Sequence, residues 1–212
     1  RAFARQLQGL NEDLVGMVNL DSIGNANDRR GNLNMSDLRV FSDDSARSSS
    51  RHMARTMEFL SFAHNAGMEM IVEDAADREN RFGDHFSFSE VGYPAIRFIN
   101  TLEEKGNADP TDTLDAVEPE YLKRATESIL LMITTLADGP LPPPNITLRQ
   151  SENGNSTLRW EPVPDAVRYV VALRPPGSLR YEQHFEVNNP FVNWEGFANY
   201  AGVAVASVGS NG

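Results

Sequence analysis

A proline-rich segment after the middle of the chain limits what the whole sequence can fold into. Residues 139–144 read Gly-Pro-Leu-Pro-Pro-Pro. A helix cannot run through this stretch, because proline lacks the backbone N–H and clashes with the preceding turn, so the segment is predicted to be a short stiff linker. A chain of 212 residues is long enough for two small domains. We therefore expect one domain over residues 1–138 and another over residues 145–212.

Helical and strand patterns alternate before the linker. Short apolar runs predict four strands, at residues 14–20, 38–41, 68–72 and 94–99. Apolar residues at helical spacing predict helices at residues 2–7, 48–65 and 122–136. The first apolar run is typical of a strand that is buried on both faces. This alternation predicts an α/β domain with a mixed, largely parallel sheet flanked by helices.

Only strand patterns follow the linker. Six runs are separated by turn residues, at positions 146–148, 157–160, 169–173, 181–187, 191–194 and 201–208. Short strands at such regular intervals predict a small all-β sandwich.

Charge and composition exclude several classes of function. The net charge of −11 argues against a nucleic-acid partner and against an anionic membrane surface, because both require a surplus of lysine and arginine. No apolar run approaches the roughly 20 residues that a membrane span needs. The chain has no cysteine, which excludes a disulfide scaffold and a cysteine nucleophile.

The first candidate site residue is a carboxylate that directly follows the first predicted strand. Residues 19–24 read Asn-Leu-Asp-Ser-Ile-Gly. Open α/β sheets bind their ligands at the carboxyl ends of the strands, which makes Asp21 a candidate ligand-binding side chain. On spacing alone, an aspartate that caps a turn is the simpler interpretation.

Two further polar segments precede and follow the fourth predicted strand. Asp84 and His85 are adjacent in the first of them, and such a pair can orient a metal ion or a substrate, although a turn with incidental polar residues explains it as well. The second segment, residues 109–115, reads Asp-Pro-Thr-Asp-Thr-Leu-Asp. A helix N-cap at Asp112 or Thr113 is a sufficient explanation for it.

Taken together and in this order, the three segments resemble metallopeptidase family twenty-eight, the di-zinc aminopeptidases. The resemblance covers residues 1–138. It implies a zinc-dependent exopeptidase of aminopeptidase type, which releases amino-terminal residues from peptides by metal-activated water and binds two zinc ions. It also implies a peptide substrate and a secreted or periplasmic location.

The resemblance gives roles to individual residues of this chain. Asp21 matches the family's aspartate zinc ligand. Asp84 and His85 match a segment that supports the site or contacts the substrate, and Gly83 stands where many members have serine. The family's other early ligands and its glutamate base would precede Arg1. On this basis the chain holds no catalytic residue, and we expect it to be inactive alone.

One departure from the family pattern lies near the last metal ligand. Ala108 occupies the position of a zinc-binding histidine, and alanine cannot bind a metal. Asp109 or Asn107 can supply an oxygen instead, since zinc accepts carboxylates. Two alternatives therefore stay open: a catalytically inactive, peptidase-like binding protein, and a single-zinc acyltransferase of cyclase type on the same fold.

The second domain has a resemblance of its own. Residues 143–212, with Trp160 on one predicted strand and Tyr169 on the next, resemble a fibronectin type III domain that lacks its last strand. A generic β-sandwich is the alternative. This domain carries no evident catalytic set, and we expect it to act as a spacer or to dock another protein or a surface.

Three Asn-x-Ser/Thr sequons begin at Asn34, Asn145 and Asn155. Such sequons accept N-linked glycans only in a eukaryotic secretory pathway.

Overall fold

A computed structural model describes residues 1–28, 30–78, 81–102, 113–151 and 154–210. The chain divides into two compact units, Arg1–Ile133 and Thr134–Gly212.

Unit 1 contains helices and strands in alternation. Its elements in chain order are α1 (Ala2–Gly9), β1 (Met17–Leu20), β2 (Asp37–Phe41), α2 (Ser49–Ala63), β3 (Glu69–Val72), α3 (His85–Ser89), β4 (Ala95–Asn100), a 3₁₀ turn (Leu114–Ala116) and α4 (Pro119–Asp138), which continues into unit 2. Ser48 caps α2, where its side chain accepts a hydrogen bond of 2.9 Å from the backbone N–H of Arg51, and this satisfies a donor that the first helical turn leaves open.

The strands of unit 1 form one mixed sheet in the order β1-β4-β2-β3. β1 is parallel to β4 and β2 is parallel to β3, while β2 and β4 are antiparallel. Two of the three pairings are thus parallel, and helices flank the sheet. The predicted α/β fold class is confirmed.

Burial in this sheet differs between the centre and the edge. All six residues of β4 are buried, whereas β1 is only half-buried and ends in an exposed residue. The prediction that the first strand is buried on both faces is therefore wrong. Among the described strands, β1 lies at the edge of the sheet and has a strand neighbour on one side only.

Unit 2 is a β-sandwich. Its strands are β5 (Thr147–Gln150), β6 (Ser156–Arg159), β7 (Arg168–Arg174), β8 (Gln183–Val187), β9 (Phe191–Trp194) and β10 (Gly202–Val208). They form two antiparallel sheets, β5-β6-β9 and β10-β7-β8. The core draws on both sheets, with Leu158 and Trp160 from the β6 side, Tyr169 and Val171 from β7 and Val205 from β10.

The tryptophan and tyrosine singled out in the sequence pack against each other in this core. The rings of Trp160 and Tyr169 meet edge to face with centroids 5.2 Å apart. The hydroxyl of Tyr169 accepts a hydrogen bond of 3.0 Å from the backbone N–H of Val163, so its polar end is satisfied inside the core.

No helix within the described residues is long and apolar enough to cross a bilayer.

Candidate functional site

Asp21 directly follows β1, at the carboxyl end of that strand. Its backbone N–H donates to the carbonyl of Phe98 at 3.2 Å, which extends the pairing of β1 with β4. Its side chain is 55% exposed, so solvent and ligands can reach the carboxylate. The peptide bond between Asp21 and Ser22 is cis.

Arg97 holds this aspartate in place. Arg97 lies on β4 opposite Asn19 of β1, and it is completely buried. Its Nε donates to the backbone carbonyl of Asp21 at 2.7 Å, and a terminal nitrogen donates to Oδ2 of Asp21 at 3.1 Å. One buried guanidinium therefore fixes both the main chain and the carboxylate of Asp21.

The other side of the same guanidinium binds a second carboxylate. Nη1 of Arg97 lies 2.8 Å from Oδ1 and 2.7 Å from Oδ2 of Asp77, whose side chain is 0% exposed. The backbone N–H groups of Arg78 and Gly83 donate to the same carboxylate, at 2.8 and 2.5 Å. A buried charge needs such partners, and Asp77 has them in Nη1 of Arg97 and in the backbone N–H groups of Arg78 and Gly83.

These contacts decide the charge state of Asp77. Burial raises the pKa of its carboxyl, but the backbone N–H donors of Arg78 and Gly83 and the Arg97 guanidinium outweigh burial and leave the pKa below its ordinary value of 3.8. Asp77 is therefore ionised at neutral pH, as the pairing with Arg97 requires.

His85 and Asp84 are adjacent in sequence but occupy different surroundings. His85 is completely buried, and its Nε2 lies 2.7 Å from the carbonyl oxygen of Ala76. A carbonyl only accepts, so Nε2 carries the proton. Nδ1 is buried with no hydrogen-bond partner among the described residues. Asp84, at the start of α3, is exposed and makes no side-chain capping bond.

The environment of His85 favours its neutral form. Burial lowers the pKa of the imidazole, and the Ala76 carbonyl and the Asp77 charge offset this effect only in part. Because Ala76 directly precedes Asp77, the hydrogen bond from His85 to Ala76 stabilises the segment that also contains the buried carboxylate. His85 thus contributes to the site by holding the Asp77 segment in position.

Gly83 lies where three side chains converge. A Cβ atom on this residue would lie 2.7 Å from Cδ of Arg97, 2.8 Å from Nδ2 of Asn19 and 2.9 Å from Nδ1 of His85. Such distances are shorter than real Cβ contacts allow, so the absence of a side chain lets the loop approach the buried Arg97.

We expect Gly83→Ala to destabilise unit 1 by about 1–3 kcal/mol, because overpacking forces neighbouring side chains out of their preferred positions. Urea unfolding followed by far-ultraviolet circular dichroism measures the effect. Gly9→Ala is the matched control, since a Cβ on Gly9 would meet nothing within 4 Å. Equal stability of the two variants would contradict the crowding at Gly83.

The other predicted metal-binding position is not described. Asp109, with its neighbours Asn107 and Ala108, lies outside the described residues. In the described ranges, no three histidine, aspartate or glutamate side chains come together as a metal site would require. Asp21 supplies only one ligand, whereas a zinc ion bound by a protein takes four.

Two residues of this site, Asp77 and Arg97, were not predicted from the sequence. A signal for Arg97 was present, because it is a lone charge within the apolar run of β4, and a charge in a buried strand requires a buried partner. The sequence gives no comparable signal for Asp77 as that partner, since several other acidic residues lie at similar distances along the chain.

Several known proteins are similar to this chain in sequence. A probable zinc metalloprotease from Pyrenophora teres f. teres is 25% identical over 188 residues, covering 74% of this chain and 39% of the relative. The chain is thus similar to proteins that are named probable zinc metalloproteases. A second such protein, from Phaeosphaeria nodorum, is 26% identical over 183 residues, covering 70% of this chain and 36% of the relative. A third, from Pyrenophora tritici-repentis, is 26% identical over 190 residues, covering 74% and 43%.

The chain spans less than half the length of these relatives, as the coverage of 36–43% shows. Among solved structures, an aminopeptidase from Aneurinibacillus sp. strain AM-1 aligns at 22% identity and a TM-score of 0.47, covering 64% of this chain and 29% of that one. No family model matches the chain.

Proposed function

We propose that the complete protein is a zinc-dependent exopeptidase of aminopeptidase type, to which this chain contributes Asp21 as a metal ligand. The observation that carries the proposal is the half-exposed carboxylate of Asp21 at the end of β1, held by the buried Arg97. The similarity to proteins named zinc metalloproteases supports a peptidase that acts on peptides. Membership of metallopeptidase family twenty-eight, two zinc ions and a secreted or periplasmic location belong to the same proposal.

Residues beyond those described complete the proposed metal site. The described part of the chain offers one carboxylate, Asp21, and zinc needs three more ligands. Asp109 is the proposed second ligand from this chain, with the remaining ligands and the glutamate base in a preceding part of the protein. Arg97 then serves to orient Asp21 toward the metal, as the partners of metal ligands commonly do.

We expect Asp21→Asn in the complete protein to lower both zinc content and the hydrolysis of amino-acid arylamides. The loss of activity should be at least about 100-fold, since even the partners of metal ligands are worth about 10–100-fold. Zinc per chain and the steady-state rate are the two measurements. Asp13→Asn is the control, because Asp13 is an exposed carboxylate that precedes β1. Unchanged zinc content in Asp21→Asn would contradict the proposal.

The chain alone should not hydrolyse these substrates, because it lacks the proposed base. Metal-dependent hydrolysis by the purified 212-residue chain would place a complete active site within it and would overturn the proposed division of the site.

A second candidate is a catalytically inactive, peptidase-like binding protein, and Ala108 is the observation that favours it. Two equivalents of zinc on the complete protein would support the enzyme, with Asp109 or Asn107 in place of the histidine. One equivalent or none, without hydrolysis, would support the binding protein. Cyclisation of an amino-terminal glutamine by a protein with one zinc would instead support the cyclase-type acyltransferase.

For unit 2 we infer a fibronectin type III-like domain that docks another protein or a surface. Its support is the β-sandwich itself and the packing of Trp160 against Tyr169 across its core. A pull-down with unit 2 variants altered on the exposed sheet faces tests the docking role.

A further inference from the structure

The three sequons differ in where the structure places their asparagines. Asn145 and Asn155 lie in unit 2 and are exposed, whereas Asn34 lies in unit 1 and is only partly exposed. A glycan is a bulky, hydrated group that requires an open surface. The three sites are therefore not equivalent.

Asn34 is held within a turn that leads into β2. Its Oδ1 accepts hydrogen bonds from the backbone N–H groups of Ser36 at 3.0 Å and Asp37 at 3.1 Å. Its Nδ2 donates to Oδ2 of Asp37 at 2.8 Å. Both the oxygen and the nitrogen of this amide are thus engaged within the turn, and the residue is only partly exposed, so Asn34 is less accessible to modification than Asn145 and Asn155.

Asn145 projects from the chain just before β5. Its backbone adopts a left-handed conformation with φ of 55°, and its Nδ2 donates to Oε1 of Glu161 at 2.7 Å on the surface. A glycosylated amide keeps one N–H, so this contact can persist after modification. Asn155 is exposed as well, and it stands directly before β6, after Gly154 with φ of +87°.

These two asparagines bracket one strand. Asn145 lies two residues before Thr147, the first residue of β5. Asn155 adjoins Ser156, which pairs with Gln150, the last residue of β5. The two amides thus stand at opposite ends of the same strand.

β5 is a strand that benefits from protection. It is an edge strand of its sheet among the described strands, and all four of its residues are exposed, including Leu148 at 48%. An exposed edge with apolar side chains is a template for pairing with another chain. Bulky groups at both ends of β5 would hinder the approach of a second strand.

We propose that Asn145 and Asn155 carry N-linked glycans that shield the β5 edge, and that Asn34 is unmodified. In this reaction Nδ2 forms a bond to the anomeric carbon of an N-acetylglucosamine, whose bond to a lipid diphosphate breaks. The amide loses one proton and the lipid diphosphate is the leaving group. The proposal rests on the secreted location proposed above and adds that the cell is eukaryotic, because only a eukaryotic secretory pathway attaches such glycans.

Mass spectrometry of the chain secreted from a yeast host tests the proposal. Enzymatic deglycosylation in H₂¹⁸O converts each occupied asparagine to a labelled aspartate, and we expect labels at positions 145 and 155 and none at 34. Asn145→Gln and Thr147→Val should each remove one glycan. Only the first also removes the bond to Glu161, so the pair separates loss of the glycan from loss of that contact. Secreted protein without label at 145 and 155, or with label at 34, would overturn the proposal.

The proposed shielding of the β5 edge is tested separately, by the rate of aggregation. The Asn145→Gln/Asn155→Gln variant should aggregate faster than the glycosylated chain when followed by light scattering, and Asn34→Gln should not. Equal rates for all three proteins would overturn the shielding role. Glycan occupancy is read by mass, whereas the proposed peptidase function is read by zinc content and hydrolysis, so failure of one is distinguishable from failure of the other.

Discussion

Replacing Arg97 with methionine is expected to destabilise unit 1 by about 3–5 kcal/mol. Removal of one partner from a buried ion pair leaves an uncompensated charge in the interior, and the penalty for that charge dominates the loss. The stranded group here is Asp77, whose side chain is 0% exposed. Asp21 loses the donors to its carbonyl and its carboxylate at the same time.

The positions of the two tryptophans allow the unfolding of the two units to be followed separately. Both of them, Trp160 and Trp194, lie in unit 2, so tryptophan fluorescence reports on that unit, while far-ultraviolet circular dichroism reports on both. Arg97→Met should shift the urea midpoint of unit 1 and leave the fluorescence transition of unit 2 in place. Arg39→Met is the control, since its ion pair with Glu73 is part-exposed and such pairs contribute about 1 kcal/mol or less.

A double-mutant cycle isolates the pair itself. In the Arg97→Met background, Asp77→Asn should cost less than it costs alone, because it then removes the stranded charge. Additive losses would contradict a direct coupling between the two side chains.

The depressed pKa of Asp77 also sets the pH range in which its ionised carboxylate stabilises unit 1. This stabilisation is present above the ordinary value of 3.8 and is lost as pH falls further into the acid range.

Trp160→Ala is expected to destabilise unit 2 by about 3–5 kcal/mol, the usual cost of removing a large aromatic side chain from a core. Trp160 is 3% exposed and packs edge to face on Tyr169. Its removal leaves a cavity between the two sheets, which the strands can fill only in part. Trp194 stays in place and serves as the fluorescence probe of unfolding.

The control for this substitution comes from the same sheet. Phe191 on β9 is 40% exposed, so Phe191→Ala removes an aromatic ring that is already partly in water and should cost about 1 kcal/mol. If the two variants unfold at the same urea concentration, Trp160 does not hold the two sheets together.

The sequence predicted the elements of the fold well because their signals are local. The runs at 38–41 and 191–194 match β2 and β9 to within one residue, since short runs rich in valine and aromatic residues favour strands. Whether each strand lies at the centre or at the edge of its sheet was harder to predict. The run at 14–20 resembles a central strand, but its place at the sheet edge depends on which strands pair, which the local pattern does not encode.

The residues of the candidate site differ in the same way, since some of them have a local signal in the sequence and others do not. Asp21 was found because a polar residue directly after a strand is a local signal, and the structure places it at the end of β1. The Arg97–Asp77 pair was missed because it joins residues that only the tertiary fold brings together, 2.7 Å apart. His85 was noticed for its neighbour Asp84, yet its structural partner is the Ala76 carbonyl, a backbone group that no side-chain motif reveals.

The strand order of unit 1 has a consequence for synthesis on the ribosome. β4 lies between β1 and β2 in the sheet, so until β4 has been synthesised β1 cannot form its pairing with β4, and β2 can pair only with β3. Until β4 leaves the exit tunnel, β1 has no partner among the described strands, and the edge of β2 that faces β4 is unpaired. The sandwich needs no such delay for its β5–β6 and β7–β8 pairs, which join strands that are consecutive in the chain. Nascent unit 1 therefore keeps unpaired strand edges for longer than these two pairs of unit 2 do, and such edges promote aggregation.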